Sequence, residues 1–133
     1  MKYVRPQHST TFAFPELDSD GYATLASSTT YYAELGLALN EWIRQSSMHW
    51  QWDDATLVAA ITVEASNMYA ASLTGAAATA GWVPLAAIAT VSPAGAASQD
   101  ISSWGDVGYG RLRAKIVVTT GGLLRGSFHA KKN

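Results

Sequence analysis

The chain has 133 residues, which is enough for one domain with a buried core. Apolar residues make up 48% of it and charged residues only 14%, about half the usual charged share. Residues 1–109 carry ten acids against three bases, whereas residues 110–133 carry six bases and no acid. A free-standing nucleic-acid binder is usually basic over the whole domain, so this balance argues against nucleic acid as the partner.

The chain contains no cysteine, which excludes disulfides and thiolate chemistry. Its N-terminus lacks the apolar region of a signal peptide. The Ala-rich run at residues 75–91 is short and interrupted by Gly81 and Pro84, so it is unsuited to crossing a bilayer. We therefore expect a soluble protein with no membrane partner.

Residues 1–30 have no sustained periodicity and are punctuated by Pro6, Pro15 and Gly21. They are predicted to form an extended N-terminal arm, with an edge strand plus a loop as the alternative. The remaining residues, 31–133, are predicted to form the folded domain.

Residues 31–44 fit either an amphipathic helix or short strands, and the alternation of Leu35, Leu37 and Leu39 favours strands. Apolar residues alternate from Met48 to Trp52, before a predicted turn at Asp53 and Asp54. They alternate again from Ala55 to Ala65, which indicates a central strand.

A loop is predicted for residues 66–80, followed by a strand over residues 82–91. Pro84 indicates that this strand lies at a sheet edge, because proline has no backbone N–H to donate to a neighbouring strand. A turn is predicted for residues 93–98, and a strand or loop broken by glycines for residues 100–110.

The last segment alternates most regularly, with Leu112, Ala114, Ile116 and Val118 on one side of the first strand. We expect it to be a β-hairpin with a three-residue loop, Thr120–Gly122, in which a glycine takes the left-handed conformation. That register pairs Val118 with Leu124 and turns Phe128 inward. It also collects the basic residues on one cationic face, formed by Arg111, Arg113, Lys115, Arg125, His129 and Lys131.

Short alternating segments separated by Gly, Pro and Ser turns predict an all-β protein, an antiparallel β-sandwich. A jelly roll is the topology that we expect, although the spacing of the strands fits other sandwiches as well.

Nothing in the sequence predicts catalysis, a metal site or a cofactor. The three histidines, His8, His49 and His129, are scattered and have no metal-ligand spacing. Five tryptophans could include a platform for stacking sugars, but packing in the core is the commoner use of tryptophan. Trp104, between Ser103 and Gly105, is predicted to be the most exposed of them.

Two sequence blocks, WQWDDATLVAAITVEASNM and GRLRAKIVVTTGGLLRGSFHAKK, carry a resemblance that extends over roughly residues 48–133. Together with Gly81-Trp82 between them, they resemble small β-sandwich virion proteins of tailed bacteriophages. In architecture the chain is similar to the jelly-roll capsid cement (decoration) proteins, such as that of a Bordetella phage. The resemblance implies a structural role on the virion and transfers no contact residues.

We therefore expect a non-enzymatic protein, made in the host cytoplasm, that binds the outside of a phage capsid. Its expected partners are the major capsid protein and further copies of itself, as a dimer or trimer. The cationic face, with Trp104, is predicted to meet an acidic protein surface. The alternative is a receptor- or glycan-binding module of the phage tail that uses exposed tryptophans.

Overall fold

The protein is described from a computed structural model, which covers residues 7–11, 21–34, 43–52, 55–66, 81–105 and 111–132. The described residues form nine β-strands. They are β1 (Gln7–Thr11), β2 (Ala23–Leu25), β3 (Thr29–Glu34), β4 (Ile43–Trp52), β5 (Val58–Ser66), β6 (Val83–Pro84), β7 (Ser98–Gly105), β8 (Arg111–Thr120) and β9 (Gly122–Lys132).

The strands form two antiparallel sheets. The five-stranded sheet has the order β1-β9-β4-β7, and β2 also pairs with β9, on the same edge as β1. The four-stranded sheet has the order β3-β8-β5-β6. The predicted fold class, an all-β antiparallel sandwich, is confirmed, whereas the jelly-roll topology stays a prediction.

The core lies between the two sheets and follows the predicted alternation. Met48, Trp50 and Phe128 face it from the five-stranded sheet, while Ile61 and Ile116 face it from the other, and all five are fully buried. Each fully buried side chain of this size contributes about 1.5–3 kcal/mol relative to an exposed one. The predicted inward orientation of Met48, Trp50, Trp52 and Phe128 is confirmed.

The predicted hairpin between β8 and β9 is wrong. β8 pairs with β3 and β5, whereas β9 pairs with β1, β2 and β4, so the two strands lie in different sheets. Their apolar sides therefore face each other across the core instead of lying side by side. Alternation fixes which side of each strand is apolar, and that condition is met equally by two strands in opposite sheets.

The chain passes from β8 into β9 at a corner of the sandwich, and the connection between β2 and β3 runs alongside it there. β2 pairs with β9 up to Leu25↔Gly122, and β3 pairs with β8 from Thr29↔Val118, so the register is the same on both sides of the gap. The two connections therefore bend together from one sheet into the other, as strands do at sandwich corners. At this corner the β8–β9 segment thus pairs with β2–β3.

Gly121 is required at this corner by close approach and not by its φ angle. A Cβ atom on Gly121 would clash with the carbonyl oxygen of Leu25 and lie 3.1 Å from the nitrogen of Ser27. The N–H of Gly121 donates to Oγ of Ser27 at 2.8 Å. Neither Gly121 nor Gly122 has a positive φ, so the predicted left-handed glycine is wrong; Ser28, on the opposite segment, has a φ of 56°.

The described part of residues 1–30 belongs to the sandwich. Gln7–Thr11 pairs with β9, and Ala23 and Leu25 lie in the core. This corresponds to the edge-strand alternative, so the predicted domain boundary at residue 30 does not coincide with a boundary in the sheets. Residues 1–6 and 12–20 are outside the described residues, and an arm formed by them stays a prediction.

The remaining predictions are met in part. Strand is confirmed at Thr29–Glu34 and from Ile43 onward, while residues 35–42, the turn at Asp53 and Asp54, and the loop at 67–80 lie outside the described residues. The strand predicted over 82–91 shortens to Val83–Pro84, at the sheet edge as expected. The strand predicted near residue 100 is Ser98–Gly105.

Candidate partner interface

The predicted single cationic face is not formed, because its four residues with described side chains lie on opposite surfaces of the sandwich. On β8, Ala114 and Ile116 face the core, so Arg113 and Lys115 lie on the outer side of the four-stranded sheet. On β9, Leu124 and Phe128 face the core, so Arg125 and His129 lie on the outer side of the five-stranded sheet. By register, Arg111 lies opposite Ser66, and Lys131 opposite Gln45.

Arg113 is enclosed within the protein. It is 0% exposed, and its guanidinium carbon lies 4.0 Å from the ring centre of Tyr32 and 4.3 Å from that of Trp82. Its Nε donates to Oε1 of Glu64 at 2.7 Å, and its Nη2 lies 2.6 Å from the same oxygen. A charge held in this way stabilises the sandwich and is unavailable to a partner, so the expectation that Arg113 forms part of an interface is wrong.

The outer side of the five-stranded sheet is dominated by neutral polar side chains, and we call it the polar face. Strand register, and for Tyr22 its contact with Arg125, place on it twelve residues whose side chains are described. They are Tyr22, Thr24, Ser47, His49, Gln51, Gln99, Ile101, Ser103, Leu123, Arg125, Ser127 and His129. Arg125 is the only one of these twelve with a fixed charge.

Several polar side chains of this face hydrogen-bond to one another across the strands. His49 Nε2 lies 2.8 Å from Oε1 of Gln99, on the neighbouring β7. Arg125 donates to Oε1 of Gln51 from Nε at 2.9 Å and from Nη2 at 2.7 Å. The guanidinium carbon of Arg125 also lies 4.5 Å from the ring centre of Tyr22. The face is therefore held in a defined arrangement before any partner arrives.

This arrangement lowers the cost of covering the face. Burial of an unpaired polar group costs about 1–3 kcal/mol, and burial of an unpaired charge costs more. The His49–Gln99 and Arg125–Gln51 pairs keep their hydrogen bonds when water leaves. The fully buried cores of protein interfaces are likewise depleted in Lys, Glu and Asp.

The polar face is regular and of moderate size. β4 pairs with β7 over eight consecutive residues without a bulge, and its register with β9 shifts only between Ile43 and Gln45. Four strand positions wide and eight residues long, the face has a planar area of about 500 Å². A standard protein interface buries about 800 Å² on each partner, so one copy offers somewhat less.

The described tryptophans do not form an exposed platform. Trp50 and Trp52 are buried in the core, and Trp82 is buried against Arg113. Trp104 is half-buried and packs on the core, with its ring centre 6.2 Å from that of Phe128. Trp104 is thus the most exposed of the described tryptophans, as predicted, but it is only partly exposed because β7 turns its ring toward the inside of the sandwich.

The described side chains suggest no metal-binding cluster. His49 and His129 both lie on the polar face, but no group of three or more His, Asp or Glu side chains within the described ranges is arranged to hold a metal ion. His49 is paired with Gln99.

Sequence reasoning missed the polar face, although a signal for it was present. Gln51, Gln99 and Ser127 belong to three segments far apart in the chain, and each segment alone looks like an ordinary half-exposed strand. Their shared neutrality becomes visible only when β9, β4 and β7 are known to be neighbours.

No protein family model matches the chain, and a search of curated proteins finds no match. Within the part of the chain that the structure describes, there is no helix with the length and hydropathy needed to cross a membrane. The function is therefore argued from the fold and the polar face.

Proposed function

We propose that this protein is a non-enzymatic structural component of a bacteriophage particle. It binds the outer surface of the capsid and stabilises it by joining neighbouring major capsid protein subunits. The observation that carries the proposal is the polar face, a regular surface on which several polar side chains already hydrogen-bond to one another. The sequence resemblance to capsid cement proteins and the β-sandwich fold support the same conclusion.

The polar face defines what kind of surface fits it. Its twelve described side chains include no acid, and the register position of Lys131 adds a second base on β9, at the other end of its ladder with β4 from Arg125. A complementary surface on the major capsid protein would therefore be rich in hydrogen-bonding groups and neutral to weakly acidic. This replaces the expected six-residue cationic face with a smaller basic contribution from β9 alone.

Other partners fit the polar face less well. Single-stranded nucleic acid is bound by exposed aromatic rings on a basic surface, and Tyr22, the one aromatic ring among the twelve residues, is buried beneath Arg125. A glycan-binding tail module was expected to use exposed tryptophans, and Trp82 and Trp104 are not exposed in that way. We accordingly propose a protein partner on the capsid, with several copies of the chain on each particle.

Introducing a negative charge at Ser127 tests the proposal. Ser127 is exposed on the polar face, so Ser127→Glu leaves the core unchanged but adds a charge that the interface must desolvate. We expect the affinity for capsids that lack this protein to fall by at least about tenfold, corresponding to about 1.4 kcal/mol. Co-sedimentation of purified protein with such capsids measures the affinity.

Thr30→Glu is the matched control, because Thr30 is exposed on the outer side of the four-stranded sheet. It introduces the same charge without touching the polar face, so its affinity should equal that of the unaltered protein. Equal losses of affinity for both variants would show that the polar face is not the surface that binds the capsid. A failure of the unaltered protein to sediment with the capsids would contradict capsid binding altogether.

A further inference from the structure

The long outer edge of the five-stranded sheet is a surface to which no partner has been assigned. In the described part of the chain, β7 pairs only with β4. The opposite edge of that sheet is divided between the short strands β1 and β2, and the edge strand β6 of the other sheet has two residues, one of them Pro84. β7 has eight residues and no bulge in its register with β4.

This edge lacks most of the features with which proteins prevent strand pairing. Natural edge strands are protected by lysines, prolines, bulges or strong twist. β7 has none of the first three, and Asp100 is its only charged residue. At its centre Ile101 is 61% exposed, a large apolar side chain on a strand that otherwise carries Ser and Gln on the same side.

The direction of the backbone groups is fixed by one hydrogen bond. The N–H of Ile101 donates to Oδ1 of Asp100 at 2.9 Å, so it points away from β4. Because backbone groups in an antiparallel strand alternate in direction, those of Gln99 and Ser103 point the same way. The Asp100 carboxylate therefore accepts a hydrogen bond from a backbone N–H at the sheet edge that could instead donate to a carbonyl group of a second strand.

We propose that β7 pairs antiparallel with β7 of a second copy of this chain, around a twofold axis at Ile101. The pairing brings Ile101 against its counterpart and covers two exposed apolar side chains. It also sets Gln99 opposite Ser103, which are neutral and can hydrogen-bond. A twofold axis one residue earlier would place Asp100 opposite Asp100, and the like charges disfavour it.

The pairing joins the two five-stranded sheets into one and doubles the polar face. Two faces in one continuous sheet offer a planar area of about 1,000 Å², which exceeds the roughly 800 Å² per partner of a standard interface. The dimer forms in the absence of any capsid, so its presence or absence is established independently of the proposed function.

Two variants test the pairing in the purified chain by light scattering coupled to size-exclusion chromatography. Ile101→Lys places like charges opposite each other at the axis, and we expect it to weaken dimerisation by at least about tenfold. Val83→Lys is the control, because Val83 is equally exposed, at 62%, but lies in the other sheet, and it should leave the dimer intact. A monomeric unaltered protein, or equal effects of both variants, would overturn the proposal.

A distance measurement tests the geometry, since a dimer formed through another surface could also be sensitive to Ile101. The chain has no cysteine, so Ser47→Cys gives one spin-label site, on β4 directly beside β7. Strand spacing places the two Ser47 Cα atoms about 20 Å apart in the paired sheet. A distribution centred between about 15 and 30 Å supports the pairing, and a distribution outside this range contradicts it.

Discussion

Replacing Arg113 with alanine will lower the free energy of unfolding by about 3–5 kcal/mol, because it leaves a buried carboxylate without its partner. Glu64 is only 6% exposed, and its Oε1 contacts two guanidinium nitrogens of Arg113. The substitution also removes the planar group that lies between Tyr32 and Trp82. Urea unfolding followed by tryptophan fluorescence measures the change.

Lys115 supplies the matched control, because it is the next outward-facing residue of the same strand and is half-buried. Lys115→Ala should change the free energy of unfolding by less than about 1 kcal/mol. The double substitution Arg113→Met with Glu64→Leu should recover much of the loss, since no unpaired charge then stays buried. Equal, small effects of Arg113→Ala and Lys115→Ala would contradict the enclosed position of Arg113.

Replacing Gly126 with alanine will lower the free energy of unfolding by about 2–3 kcal/mol, because the added methyl group has no space. A Cβ atom at Gly126 would lie 2.8 Å from Cδ2 of Trp50 and closer still to two other ring atoms. Trp50 is fully buried in the core, so its ring can move only by displacing its neighbours. Chemical unfolding at equilibrium measures this change.

Gly105 is the appropriate comparison, because it is also a strand glycine but a Cβ atom there would meet nothing within 4 Å. Gly105→Ala should change stability by no more than about 0.5 kcal/mol. Adding Trp50→Phe to Gly126→Ala should cost less than the two single changes together, since the smaller ring makes room for the methyl group. Strict additivity would show that Gly126 and Trp50 are not in contact.

Alternation was enough to predict β4, β5, β8 and β9 and their buried sides, but not β1 and β2. Met48, Trp50 and Trp52 on β4, and Ile61 and Val63 on β5, face the core as their spacing indicates. A half-buried strand has a period of two, and that period is visible in any window of a few residues. The fold class follows from several such windows without knowledge of their order in the sheets.

The relation between β8 and β9 could not be predicted in the same way. Thr120, Gly121 and Gly122 suit a hairpin loop, and they suit a corner between two sheets equally well. The corner is selected by pairing with Ala23–Leu25 and Thr29–Glu34, which lie about 80 to 100 residues earlier in the sequence than their partners. The residues around the corner carry no local pattern that indicates this long-range pairing.

The enclosure of Arg113 and the partial burial of Trp104 could not be predicted for the same reason. The spacing correctly predicts that Arg113 points away from the core, but its enclosure depends on Tyr32, Glu64 and Trp82, each from a different part of the chain. Trp104 is the most exposed of the described tryptophans, as its small and polar neighbours indicate, but its ring is half-buried and packs near Phe128 of β9. Both depend on contacts between distant parts of the chain, which composition and spacing do not predict.

The stability of the capsid itself gives the most direct test of the proposed function. Capsids that lack this protein should be heated with and without the purified chain, and the temperature at which they release their contents recorded. The unaltered protein and Thr30→Glu should raise that temperature, whereas Ser127→Glu at the same concentration should raise it less. No change on adding the unaltered protein, together with its absence from intact particles, would contradict a role in capsid stabilisation.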